Sequence, residues 1–194
     1  MAGLYYFHKI PKIALPAKTF GVFEHSIIAQ DSLLTGIDEI VKMPHSRHSG
    51  IDEMKAKHSG LKILLEGELS GISVLKDEKD YFILAHPEYA KDTLLLEYER
   101  DKQKGLAIQK PINYFDQAEK PILSWKSSAS VMFANWLNFS VYQNTPFVLW
   151  GLTRFYIQCL ILSFFKVKNK IFITSVSKLR EGNIHKSYPF TFII

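Results

Sequence analysis

Short apolar segments, separated by glycines and one charged turn, run through the middle of the chain and predict β-strands. Residues 61–67 (Leu-Lys-Ile-Leu-Leu-Glu-Gly) and 71–75 (Gly-Ile-Ser-Val-Leu) precede the charged turn 76–80, and residues 81–85 (Tyr-Phe-Ile-Leu-Ala) follow it. Runs of this length between glycines and polar turns are typical of strands. Residues 81–85 are apolar on both faces, so we expect this strand to be buried in an α/β sheet.

A helix is predicted after the last of these strands. Asp92 can cap its N-terminus, and the helix extends to about Gly105. One side is apolar and the other is mainly charged: Leu94, Leu95 and Tyr98 lie on the first, and Glu97, Glu99, Asp101 and Lys102 largely on the second. A strand, a polar corner and a helix in this order indicate an α/β fold.

A second helix is predicted over residues 127–143, and Thr145 and Pro146 end it. Large apolar side chains recur in it at helical spacing, namely Met132, Phe133, Trp136 and Phe139. An apolar helix face of this kind is most often part of the hydrophobic core, and we expect these four side chains to be core residues.

The composition changes after Pro146, which predicts a domain over residues 1–146 and a separate basic, aromatic tail over residues 147–194. Ten of the 48 tail residues are aromatic. The apolar run at 155–165 falls short of the roughly 20 residues that a membrane-spanning helix needs. A membrane partner is therefore not favoured.

The charge distribution and the cysteine content limit which binding partners and which cellular compartment we expect. The tail holds seven Lys or Arg and one Glu, which leaves 17 bases and 18 acids in residues 1–146. The net charge of +5 thus gives no argument for nucleic-acid binding by the main domain. A single cysteine, Cys159, excludes an intramolecular disulfide, and the N-terminus lacks the pattern of a signal peptide. We expect a cytoplasmic protein.

The corner formed by His86, Pro87 and Glu88 is the sharpest local candidate for chemistry. Side chains at i and i+2 of an extended segment point to the same side, so Glu88 can orient or charge-stabilise the imidazole of His86. Ligands of α/β sheets bind beyond the carboxyl ends of strands, where this pair falls. The alternative is a strand-end histidine bonded to the backbone beside a solvated glutamate.

Four further sets of residues are weaker candidates. His45, His48 and His58 could suggest a metal site, but no cysteine or acidic ligand cluster accompanies them, so no metal is expected. The Ser46–Arg47 pair could instead hold a carboxylate. Lys18 begins a short apolar strand that ends at His25, and Arg100 has the default role of a solvated helix charge.

Taken together and in chain order, these stretches resemble the homoserine O-acyltransferases of methionine biosynthesis. The most telling are Gly-Val-Phe-Glu-His at 21–25, Pro-His-Ser-Arg-His at 44–48 and His-Pro-Glu-Tyr at 86–89. The resemblance covers about residues 2–146, and its other stretches are 2–6, 10–12, 18–20, 61–64, 94–101, 113–115, 135–138 and 141–143.

The resemblance implies a class I glutamine amidotransferase-like (flavodoxin-like) α/β fold, a three-layer sandwich that is incomplete at the N-terminus here. It also implies acyl transfer from acyl-CoA, through a cysteine thioester, to the hydroxyl of L-homoserine. By position, His86 is the base and Glu88 its partner, whereas Lys18, Ser46 and Arg100 bind substrate. Acyl-CoA is then a co-substrate, no cofactor is required, and a homodimer stays open for the full-length family.

Two departures from the family pattern change the expectation. The nucleophilic cysteine of the family precedes its Gly-Leu-Tyr-Tyr stretch, where this sequence has Met1 and Ala2 before Gly3. Cys159 is no substitute because no cationic neighbour or helix N-terminus lowers its pKa. We expect an inactive fragment of an enzyme for which acetyl-CoA is favoured as donor and succinyl-CoA is the alternative.

Two other functions compete with this one. A non-enzymatic, membrane-associated protein could use its basic, aromatic tail, and a tail-dependent membrane pool would favour that hypothesis. A glutamine amidotransferase subunit shares the Cys-His-Glu logic, but it does not account for the stretches at 18–25 and 44–48.

Overall fold

The computed structural model describes residues 1–78, 80–145 and 191–193 of the 194-residue chain. The strands within them are β1 (Lys12–Ile27), β2 (Ile40–Ile51), β3 (Lys62–Gly67), β4 (Gly71–Lys76), β5 (Asp80–Ile83) and β6 (Thr191–Ile193). The helices are α1 (Ala2–His8), α2 (Glu53–His58), α3 (Thr93–Gln103) and α4 (Lys126–Asn135), with a 3-10 turn at Ser32–Leu34 and a π-helical segment at Trp136–Tyr142.

One sheet joins all six strands in the order β2-β1-β3-β4-β5-β6. Every neighbouring pair is antiparallel except β5 and β6, which are parallel. The long strands β1 and β2 form a two-stranded ribbon, from the pair Lys12–Ile51 to the pair Ser26–Ile40. β1 pairs with β3 at its C-terminal end, through Ser26 and Ile27, so the rest of the ribbon diverges from β3.

The sheet curls, so that β2 returns to the end of β5. Three strands separate β2 from β5 in the sheet order. The N–H of His86, just after β5, nevertheless donates a hydrogen bond of 2.8 Å to the carbonyl of Pro44 in β2. Side chains from both strands share one apolar cluster on the inside of the curl, which includes Val41, Met43, Tyr81, Ile83 and Ala85 together with Met132 of α4.

The strand predicted at 81–85 is buried on both faces, as expected. Tyr81, Ile83 and Ala85 face the inner cluster, and Phe82 and Leu84 face a second cluster formed with α1 and α2. This division follows from the alternation of side chains along a strand. Helix α3 packs on a third cluster, on the outer face of the ribbon, which contains Phe20, Val22, Leu94, Tyr114 and Trp125.

The predicted strands at 61–67, 71–75 and 81–85 and the helix after residue 92 are confirmed as elements. Asp92 is the N-cap residue of α3, as predicted, but its side chain makes no hydrogen bond to the helix N-terminus. The α/β class is confirmed, whereas the largely antiparallel sheet does not by itself confirm the three-layer, glutamine amidotransferase-like arrangement.

The second predicted helix is confirmed in part. Met132 is buried, but Phe139 is 46% exposed, so its assignment to the core is wrong. The cause is the π-helical segment, since its i→i+5 hydrogen bonds change the angular spacing of side chains and turn Phe139 away from the core. No helix within residues 1–78 and 80–145 is long and apolar enough to span a membrane. The apolar run at 155–165 and the domain boundary after residue 146 lie outside the described residues.

Gly21 is required by a close approach of two backbones. Its φ is +141°, and a Cβ there would lie 2.4 Å from both N and O of Ile112. Ile112 bridges β1 at this point, where its N–H donates to Phe20 and its carbonyl accepts from Val22. The clash is with backbone atoms, so no side-chain rotation can relieve it.

We predict that Gly21→Ala lowers the free energy of unfolding by at least about 3 kcal/mol, because it adds a backbone clash to an unfavourable φ. Gly60→Ala is the matched control, since Gly60 also has a positive φ but open space around its Cβ position. It should cost about 1–2 kcal/mol. Urea unfolding of both variants measures the difference, and equal losses would contradict the prediction.

Candidate active site

The backbone of His86 is anchored on the free edge of β2. Its N–H donates to the carbonyl of Pro44 at 2.8 Å. A proline suits this position, because its carbonyl faces away from β1 and the N–H that it lacks would point to the same open edge. The corner after β5 is thereby fixed against the strand that carries Ser46.

The imidazole of His86 pairs with the carboxylate of Glu88. His86 Nδ1 lies 2.8 Å from Glu88 Oε1, and the ring stacks on Tyr89 with a centroid separation of 4.5 Å. A neutral imidazole that donates through Nδ1 presents Nε2 as a proton acceptor, which is the arrangement a general base needs. The predicted His86–Glu88 pair is therefore formed, while its catalytic role stays a prediction.

Glu97 of α3 connects the predicted site residues to one another. Its Oε1 accepts a hydrogen bond of 2.9 Å from the Tyr89 hydroxyl, and its Oε2 accepts one from the Ser46 hydroxyl. The same Oε2 lies 3.9 Å from Lys18 Nζ. Burial and the neighbouring Glu97 carboxylate raise the pKa of Tyr89, so this phenol stays protonated and acts as a donor.

Asp101, one turn further along α3, joins the two predicted cations. Its Oδ2 lies 3.2 Å from Lys18 Nζ, and its Oδ1 accepts from Nε and Nη2 of Arg100 at 2.8 and 2.7 Å. The bond from Arg100, followed by that from Lys18, holds the pKa of Asp101 below its usual range. The Lys18 ammonium also lies over the ring of Phe20, 3.9 Å from its centroid.

The structure corrects the charged side predicted for α3. The side chains of Glu97 and Asp101 are 18% and 9% exposed, so this part of the helix faces the site and not solvent. Their i, i+4 spacing in the sequence places them on one face of the helix, and this spacing was the one sequence feature that indicated a shared environment. Arg100 is 54% exposed, and its guanidinium has N–H groups beyond those bonded to Asp101.

The histidines considered as metal ligands are dispersed. His45 is buried, whereas His58 lies on α2, where its Nδ1 bonds the Met54 carbonyl at 2.7 Å, and His48 is exposed. Within the part of the chain that the structure describes, no three His, Cys, Asp or Glu side chains are placed to hold a metal ion.

His45 instead contacts a second buried histidine, His25 of β1. The two rings lie nearly parallel with centroids 5.1 Å apart, and their Nε2 atoms are separated by 3.1 Å. Burial lowers the pKa of His25 to about 4 and places the pKa of His45 well below its usual value. Both rings are therefore neutral at physiological pH, and no local pattern in the sequence indicates this pair.

These contacts define the class of protein. It is an α/β protein with a histidine–carboxylate pair beside an ion-paired network of predicted substrate-binding residues. The sequence model described as "Homoserine O-succinyltransferase" matches residues 1–147. The chain belongs to this family, whose chemistry is acyl transfer to homoserine.

Individual relatives agree with the family but differ from its description in the acyl group. The homoserine O-acetyltransferase of Campylobacter jejuni (strain RM1221) is 50% identical over 153 residues, which are 77% of this chain and 51% of that protein. That of Agathobacter rectalis is 44% identical over 153 residues, 75% of this chain and 49% of that protein. The chain thus spans about half the length of the curated relatives it matches.

Similarity to solved structures is more distant. The crystal structure of SMU.1228c aligns with a TM-score of 0.48 and 15% identity, over 69% of this chain and 56% of that one. This level of similarity leaves the finer fold assignment open.

The buried histidine pair predicts a specific dependence of stability on pH. An unfolded histidine has a pKa near 6.5, so between pH 6.5 and about 4 the unfolded chain binds protons that the folded chain excludes. The free energy of unfolding should therefore fall as the pH falls through this window, by up to about 1.4 kcal/mol per pH unit for each histidine.

Urea unfolding between pH 4.5 and 7.5 measures this slope. His25→Gln should flatten it, and His58→Gln, which changes an exposed histidine, should leave it unchanged. A His25→Gln slope identical to that of the unchanged protein would show that this histidine does not exclude a proton on folding.

Proposed function

We propose that residues 1–147 provide the base and the homoserine-binding groups of an acyl-transfer site. The observation that carries this proposal is the His86–Glu88 pair, held at 2.8 Å beside the network that joins Lys18, Ser46 and Arg100 through Glu97 and Asp101. Residues separated by up to 82 positions in sequence thus converge near one histidine. The substrates are L-homoserine and acyl-CoA, and the pathway is methionine biosynthesis.

In this proposal, Nε2 of His86 removes the proton from the homoserine hydroxyl. The hydroxyl oxygen then attacks the carbonyl carbon of the acyl thioester, the C–S bond breaks and a thiolate leaves. Glu88 accepts the hydrogen bond from Nδ1, which keeps Nε2 free and stabilises the imidazolium that forms. The base is thus Nε2, the ring nitrogen of His86 that Glu88 does not bond.

The charged groups of α3 suit the two ends of an amino acid. Arg100 is more than half exposed and has N–H groups that Asp101 does not use, and these can bind the homoserine carboxylate. Glu97 presents a carboxylate to the ammonium, and Lys18 offsets part of the negative charge of Glu97 and Asp101. No cofactor is required for this chemistry.

The thioester-forming cysteine is not among residues 1–147, since the single cysteine of the sequence is Cys159. We propose that these 194 residues do not turn over alone and that the site is complete in the full-length enzyme. For that enzyme we infer a class I glutamine amidotransferase-like fold and a cytoplasmic location, and the homodimer stays open.

Acetyl-CoA is the proposed donor. The relatives from Campylobacter jejuni and Agathobacter rectalis carry the name homoserine O-acetyltransferase, and their identity to this chain is 44–50%. The family description names the succinyl reaction, so the choice of donor needs a direct experiment.

A chimera tests the function. Residues 2–146 replace the matching half of the Campylobacter jejuni enzyme, and acyl transfer to homoserine is measured with acetyl-CoA and with succinyl-CoA. We expect transfer from acetyl-CoA, and His86→Ala should lower kcat by about 10²–10⁴-fold through loss of the base. His58→Ala is the matched control. A folded chimera that transfers neither acyl group would refute the proposal.

Arg100 provides a separate test of substrate binding. In the same chimera, Arg100→Lys keeps the charge but removes the planar fork, so KM for homoserine should rise about tenfold. KM for acetyl-CoA should stay constant, because the proposed role concerns the amino-acid carboxylate. Lys102→Arg, on the same helix, is the control, and a rise in both KM values would point to general damage.

A further inference from the structure

Strand β2 carries two different networks on its two faces. Ser46 faces outward and bonds Glu97 of the proposed site. Its neighbours His45 and Arg47 face the inside of the curled sheet and are buried. Alternation along the strand therefore places a buried polar cluster directly behind the site.

The hydrogen bonds of this cluster determine the tautomer of each ring. His25 Nδ1 lies 3.1 Å from the carbonyl of Val41, so it must carry the proton, and His25 Nε2 must be a bare acceptor. His45 Nε2 lies 3.1 Å from that bare nitrogen, where two lone pairs would repel each other. His45 is therefore protonated on Nε2, and its buried Nδ1 has no hydrogen-bond partner among the described residues.

The cluster continues into the turn between β3 and β4. The hydroxyl of Ser70 shares the His25 Nε2 acceptor at 2.9 Å, and Arg47 donates to the carbonyl of Ser70. Gly67 leaves the space for these contacts, because a Cβ there would lie 2.3 Å from Ser70 Oγ and 3.1 Å from the His25 ring. The contacts of β2 and β1 thus meet at one residue of the hairpin.

This connection lies where the backbone pairing stops. β1 pairs with β3 at Ser26 and Ile27, and His25 is the next residue along the diverging ribbon. Beyond it, side chains and not ladder hydrogen bonds set the distance between the ribbon and the hairpin. The hairpin leads into β5 and His86, whereas the ribbon carries Pro44 and Ser46.

We propose that His45 is a positioning residue for the site. Its Nε2–H bond fixes the ring of His25, which also accepts from Ser70 of the β3–β4 hairpin, and this contact holds the ribbon at the distance at which the Pro44 carbonyl accepts from the His86 N–H. The role of the site rests on the proposed function, but the positioning of His86 is a property of the fold and can be measured without activity.

Two amide variants of His45 separate the effect of side-chain length from the effect of side-chain polarity. His45→Gln can place an N–H close to the Nε2 position, whereas His45→Asn reaches only the Nδ1 position. Amide hydrogen exchange of the 194-residue chain, measured by NMR, reports the bond from His86 to Pro44. The amide of Leu84, which bonds the Ser73 carbonyl within the hairpin sheet, is the internal reference.

We expect exchange at His86 to accelerate about tenfold in His45→Asn, the change that follows loss of one hydrogen bond of ordinary strength. Exchange at Leu84 should not change, and His45→Gln should keep the exchange rates of the unchanged protein at both amides. Met43→Ala, which removes apolar volume from the same face of β2, should not affect His86 selectively.

Equal exchange at His86 in the Gln and Asn variants would overturn the proposal. If the Asn variant does not fold, failure of His45→Gln to preserve the exchange rate at His86 would do so. In the unchanged protein, ring ¹⁵N shifts must show His45 protonated on Nε2 and bare on Nδ1, and the opposite tautomer also refutes it. An inactive chimera would count against the proposed function while leaving these results unaffected.

Discussion

The curl of the sheet is the constraint on which the site depends. His86 follows β5 and Ser46 lies in β2, and three strands separate β2 from β5 in the sheet. A flat sheet of this order would hold the two strands four strand spacings, or about 19 Å, apart. The bond from the His86 N–H to the Pro44 carbonyl closes this gap, and the inner apolar cluster fills the space that the curl encloses.

The charges around the site are arranged to neutralise one another. Glu97 and Asp101 are largely removed from solvent, which would be costly for isolated carboxylates. Lys18 contacts both, and Arg100 contacts Asp101 from the exposed rim. The bonds from Arg100 and Lys18 lower the pKa of Asp101, and helix α3 thus brings both signs of charge to the same small region.

Local pattern was sufficient for the strands at 61–85 and for α3, because their apolar spacing and turn residues agree. The His86–Glu88 pair was also accessible, since a strand end and an i, i+2 spacing bring the two side chains together. The burial of Glu97 and Asp101 could not be predicted from the sequence, because helical spacing shows which residues share a face but not what covers that face. The assignment of Phe139 to the core was wrong for a different reason. A π-helical segment interrupts the α-helical period on which that assignment relied.

The buried histidines show why the rest of the structure could not be predicted without the tertiary contacts. His25 ends a short apolar strand, His45 stands in a polar stretch of the sequence, and 19 residues lie between them, so nothing local indicates that their rings meet. They meet because the ribbon pairs His25 with Val41 and His45 with Gly21, and that register puts both rings on the inner face. Gly21 has no side chain to fill the position opposite His45. The same register places Ser46 outward, so the inner contacts of β2 and its outer contacts cannot be set independently.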